Sequence, residues 1–167
     1  LTNSIIVNMD VTIIMAGQDI DPAFKAIKSK LAGKTWKFTN ITGKLIGGKS
    51  AGDITILKDG KNQYGFDQDL TKTTFSFKET GDVEKEVFFT NNSQTTTLKW
   101  GVSGDYRRVD MWRSSDPRWI LRSWEIKSVG DSEIKVREDD FTVSVTDKTL
   151  TDSFQIVMDA RITLSAK

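Results

Sequence analysis

The chain has 167 residues, with 24 Lys and Arg against 23 Asp and Glu, a formal net charge of +1, no cysteine and no histidine. That length corresponds to one domain with a sizeable core, and the balanced charge gives no bulk attraction to nucleic acid. Without Cys and His there is no thiol nucleophile, no Ser-His-Asp or Cys-His arrangement, no imidazole base and no zinc or copper site of the usual nitrogen and sulfur type. Carboxylate chemistry, oxygen-ligand metal sites and non-enzymatic binding remain.

In chain order, Ile5, Val7, Met9, Val11, Ile13 and Met15 alternate with mostly polar neighbours and predict a strand within residues 1–16. That strand is either added to the domain formed by residues 17–167 or left over from a preceding one, with the seam at residues 17–21. No run reaches the roughly 18 apolar residues of a membrane-spanning helix. Asp21-Pro22 then supplies a cap and a proline suited to a first helical position. Phe24, Ile27 and Leu31 share one face and Gly33 offers a stop, predicting a helix over 22–32. It should plug a sheet end, with Lys25, Lys28 and Lys30 in water.

Strand-like runs follow at 34–40, 53–58, 73–78, 84–90, 95–102, 106–112, 119–126, 132–137 and 141–146. The separators are turn sequences: Gly47-Gly48, Asp59-Gly60, Gly81-Asp82, Asn91-Asn92, Gly104-Asp105, Gly130-Asp131 and Asp147-Lys148. A last long strand carries Phe154, Ile156, Met158, Ala160, Ile162 and Leu164 on one face. Short strands spaced near ten residues predict an all-β protein, an antiparallel meander closing into a barrel of about 8–10 strands with one short N-terminal helix, because closure removes exposed edges.

Several short motifs occur in this order: Gly33-Lys34-Thr35-Trp36, Phe75-Ser76-Phe77 before Gly81, Trp100-Gly101, then Trp124-Glu125-Ile126 with Ile134-Lys135-Val136. Over residues 22–138 this resembles the bacterial lipocalin-like domains of Bacteroidetes surface and secreted proteins. The glycine after Trp100, the final hairpin and the strand before the helix depart from that pattern. The resemblance implies a small lipocalin-like barrel of an exported protein, at the cell surface or in the periplasm and often lipid-anchored, binding a small apolar molecule or a glycan. Signal or anchor would lie outside this sequence.

The densest feature is the stretch 106–124, with four aromatics and five arginines in nineteen positions. One reading is a recognition surface, in which Arg forks take anions and Trp faces stack on sugars. The other is a hairpin in which Trp112 and Trp119 pack across each other while the arginines pair with Asp110, Asp116 and Glu125. Trp112, Arg113, Arg118 and Trp119 are therefore the candidate ligand-facing residues. Phe77, Trp100 and Met111 are candidates for lining a cavity, since they should point inward with Phe75, Leu98 and Val109.

The resemblance further implies that Trp36, opening the first core strand, closes the barrel base by packing. The acids at Asp67/Asp69, Glu84/Glu86 and Glu138/Asp139/Asp140 read as solvated turn residues, because sequence neighbours seldom face each other across a cleft as a glycosidase needs. Asp59, Asp67 and Asp69 lack the loop of a calcium site, and Gly48-Lys49-Ser50 leads into a strand, which rules out a phosphate loop. The expectation is a non-enzymatic binding or interaction domain with no catalytic residue, metal or cofactor and no nucleic-acid partner. A surface carbohydrate-binding module and a structural domain of a larger assembly are the alternatives.

Overall fold

The computed structural model describes residues 22–46, 52–146 and 153–167. The expected strand in residues 1–16, the Asp21 cap and the turns at Gly47-Gly48 and Asp147-Lys148 lie outside the described residues. Two helical segments, α1 (Pro22–Lys25) and α2 (Ile27–Leu31), run on through Ala26. The Ala26 N–H donates to the Pro22 carbonyl at 3.2 Å, and the Ala26 carbonyl accepts from the Lys30 N–H at 3.0 Å. Together they make the single expected helix, with Ile27 and Leu31 fully buried. Lys30 departs from expectation: it is half-buried and pairs with Asp131 in the turn before the ninth strand, which ties the helix to the barrel.

Ten strands follow: β1 (Thr35–Leu45), β2 (Asp53–Lys58), β3 (Lys61–Asn62), β4 (Gln68–Phe77), β5 (Asp82–Phe89), β6 (Ser93–Val102), β7 (Arg108–Arg113), β8 (Asp116–Val129), β9 (Glu133–Thr146) and β10 (Ser153–Ala166). From β4 to β10 each strand pairs antiparallel with the next. β1 closes the ring, pairing with β10 from Trp36 opposite Ala166 to Leu45 opposite Met158, and with β4 through Thr35–Lys37. The result is a closed antiparallel barrel of eight strands, the all-β, lipocalin-like architecture expected. β2 and the short β3 form a hairpin appended to the far half of β1. Its two-residue turn is Asp59-Gly60, both at positive φ (49° and 68°), the geometry that suits a tight hairpin.

Three details differ from the sequence reading. The runs 132–137 and 141–146 are one strand, β9, broken only by a bulge that sets Asp139 and Asp140 against Asp159. The turn between β7 and β8 is Ser114-Ser115 alone, so Pro117 and Arg118 belong to β8. β3 was too short for any periodicity to reveal it. On the other side of Asp159, β1 comes so close that a Cβ on Gly43 would lie 2.0 Å from the Asp159 carbonyl oxygen; only glycine fits there.

The core is one cluster inside the ring. Phe75, Phe77, Leu98, Trp100, Val109 and Met111 all point inward as expected and are buried. Edge-to-face ring pairs run through it: Trp100 to Phe77 at 5.0 Å, Phe75 to Trp124 at 4.9 Å, Phe38 to Phe75 at 5.3 Å and Phe38 to Phe141 at 6.1 Å. The helix touches β8 and β6 at the end of the barrel where Gly33 leaves α2 and its N–H donates to the Phe77 carbonyl. Trp36 is fully buried, in keeping with its expected place at the base.

Candidate functional site

The ring is not uniformly hydrogen-bonded. β8 pairs with β9 only between Glu125–Val129 and Ile134–Arg137. Beyond that point residues 116–124 of β8 pair with β7 and no other strand, and residues 138–146 of β9 with β10 and no other strand, although the Ser144 carbonyl also accepts from the Asp67 N–H at 3.3 Å. The two strands therefore part, and a cleft of about 430 Å³ lies between them, lined among others by Ile120, Leu121, Arg122, Arg137, Glu138 and Asp139. A volume of that order is within the range of small-molecule sites.

Behind the cleft three ionisable side chains share the barrel interior, each placed there by strand periodicity. Glu138 continues the inward face of Ile134 and Val136 and stands opposite Ala160, which is fully buried. Arg122 continues the face of Trp124 and stands opposite Met111. Lys85 lies between Phe75 on β4 and Thr96 on β6. Only 7% of the Glu138 side chain and 15% of the Arg122 side chain are exposed. Glu138 is thus not the solvated turn acid its neighbours suggested, because the bulge comes one residue after it.

The contacts are specific. The Arg122 Nε lies 3.2 Å from Glu138 Oε1, and Trp124 Nε1 donates to Glu138 Oε2 at 2.9 Å. The guanidinium carbon sits 5.5 Å from the Phe75 ring centre and 5.7 Å from that of Phe141, within cation–π range of both. Arg122 Nη1 is buried and has no acceptor among the described residues. Burial pushes the Lys85 ammonium down to about 8, helped by the Arg122 charge and opposed by Glu138. Burial also pushes the Glu138 carboxyl up, against the opposing pulls of Arg122, the Trp124 N–H and Lys85. For Glu138, loss of water outweighs its ion pair.

The residues singled out from sequence divide into three groups. Phe77, Trp100 and Met111 are packed solid and line no cavity; Phe77 and Trp100 pack on each other toward the helix end, where Trp100 Nε1 donates to the Lys78 carbonyl at 3.2 Å, while Met111 stands opposite Arg122. Trp112 lies on the outer face, where its ring covers Gly101 (3.1 Å to a Cβ built there). This accounts for the glycine that follows Trp100. Trp119 is 69% exposed and lines a groove of about 340 Å³ with Arg113, Ser115, Asp116 and Leu121. The Arg118 side chain is 91% exposed and touches Asp116 at 3.4 Å. The residue opposite Trp112 across the hairpin is Ile120, not Trp119.

Sequence reasoning missed Arg122, Glu138 and Lys85. The available signal was period two: each occupies the apolar face of its strand, with Trp124 and Ile126, with Ile134 and Val136, and with Val83.

No protein family, curated protein or solved structure matches the chain. Among the described residues no helix is long and apolar enough to cross a membrane. The fold and the cleft define a small closed β-barrel, an architecture compatible with a binding domain.

Proposed function

We propose that the chain is a non-enzymatic, lipocalin-like binding domain of an exported bacterial protein, and that it holds a small, largely apolar molecule where β8 and β9 part. The observation that carries this reading is the local opening of an otherwise closed ring: the helix end is plugged and packed, whereas the opening leads from exposed Ile120 and Leu121 to a half-polar interior. Ile120 and Leu121 offer the apolar contact there, and the charged residues around them supply polar groups that fix a ligand's orientation. The resemblance to exported bacterial lipocalin-like domains supports the cellular setting, and the absence of Cys and His supports a binding role over catalysis.

The test uses N-phenyl-1-naphthylamine, an uncharged dye whose emission rises in apolar surroundings. Saturable 1:1 binding that is weakened by Leu121→Glu is expected. No dye binding, or binding unaffected by Leu121→Glu, would contradict the reading.

A second reading, carbohydrate recognition on the outer surface, draws on the exposed Trp119 beside Arg113 and its groove. It predicts that Trp119→Ala abolishes retention on a glycan array.

A further inference from the structure

The strongest feature that a general binding barrel leaves unexplained is charge. Among the described residues, two cations, Arg122 and Lys85, act on one another inside the barrel, and one carboxylate, Glu138, faces them. Of the acids at the rim of the cleft, Asp139 pairs with Arg137 at 3.0 Å, Glu125 pairs with Lys127 and Arg137, and Asp140 is exposed; next to them Asp159 takes the Arg137 Nε at 2.7 Å. Glu138 occupies the Nε side of the Arg122 guanidinium and leaves Nη1 without an acceptor. Phe75 and Phe141 hold that guanidinium close to their rings, which restricts its turning to find a partner.

We infer that Arg122, backed by the charge of Lys85, which stands opposite the Phe75 that packs on the guanidinium, seats the anionic group of the ligand, a carboxylate whose apolar body runs out through the cleft along Ile120 and Leu121. A buried cation without a counter-charge is costly, and an entering carboxylate removes that cost while gaining charge-assisted hydrogen bonds. The cleft reaches the buried Arg122 and Glu138 on one side and the exposed Ile120 and Leu121 on the other, with Arg108, Asp139 and Asp140 also on its rim, so an apolar body has the Ile120–Leu121 side to lie along. The lowered pKa of Lys85 fits the same picture, since a bound carboxylate would restore its proton affinity. The inference rests on the barrel being a binding domain and adds the chemical class of its ligand.

The experiment is displacement of N-phenyl-1-naphthylamine from the whole chain by sodium decanoate and by decanol, each below its aggregation threshold. Decanoate should displace the dye at a concentration lower than decanol by roughly tenfold or more, the scale of a hydrogen bond to a charged group. Lys85→Met should reduce that advantage at least severalfold and leave decanol unchanged. Arg122→Met should act likewise, and should its fold fail, Lys85→Met carries the test, because it removes a buried charge and leaves the Arg122–Glu138 pair intact. Equal displacement by the two probes, or an advantage that persists in Lys85→Met, overturns the anion seat while leaving the binding domain standing. Failure of dye and decanol alike to bind overturns both.

Discussion

At the helix end of the barrel, Trp36, Phe77, Trp100 and Ile126 fill the ring with apolar volume, closed by Ile27 and Leu31 from the helix. Where β8 and β9 part, the same strands enclose an ion pair, a second cation and two rings that flank a guanidinium. Apart from the bulges, inward and outward positions alternate along β5, β8 and β9 in both regions, so periodicity alone does not distinguish them. The difference lies in which residue type occupies the inward position and in whether the neighbouring strand is hydrogen-bonded. One end is organised for stability; the other accepts buried charge at a cost, as sites that do work commonly do.

Substitutions of matched kind should separate the two regions. Phe77→Ala removes a ring that meets Trp100 at 5.0 Å and Trp124 at 6.1 Å. Its expected cost is about 3–5 kcal/mol in chemical denaturation, from lost burial and the cavity left behind. Glu138→Leu should cost a comparable amount, about 3–5 kcal/mol, although it adds apolar surface, because Arg122 and Lys85 are left unopposed. The double variant Arg122→Met/Glu138→Leu should recover most of that loss, and a purely additive double variant would show that the pair is not coupled.

Lys85→Met should act in the opposite direction. Its ammonium, ordinarily at 10.5, sits at about 8 in the folded chain. Between those two values the unfolded chain binds more protons than the folded one, so stability rises with pH across that window. Below it, the charged form is carried into the interior in full. Lys85→Met should therefore stabilise the protein by on the order of 2–3 kcal/mol at neutral pH and abolish the rise between pH 8 and 10.5. The smallest effect is expected for Trp119→Ala, within about 0.5 kcal/mol of the parent, since the ring is mostly in water.

Much of the barrel was legible in the sequence. The run 53–58 coincides with β2, and the turns at Asp59-Gly60 and Gly130-Asp131 fall where residues suited to tight turns stand. The even-numbered face of residues 154–164 pairs with β9 on one side and β1 on the other, which is how the ring closes. Less legible was whatever depends on a partner strand. Asp139 and Asp140 look like a turn from their own chemistry, and only pairing against Asp159 makes them a bulge that leaves Glu138 inside. Arg122 sits in an arginine-rich stretch whose other members are mostly exposed, and nothing local separates it from them except its phase with Trp124. The parting of β8 from β9 has no local signature at all, because it is a property of two strands whose ends are far apart in register.

The division of the barrel into a closed half and an opening is tested most directly by native-state amide hydrogen exchange, measured with and without sodium decanoate. In the free protein, gap-facing amides of residues 118–124 and 139–146 should exchange well ahead of those in the paired stretches Glu125–Val129 and Ile134–Arg137. Decanoate should slow exchange chiefly around the gap. Uniform protection of β8 and β9 along their lengths, or slowing confined to the helix end, would contradict it.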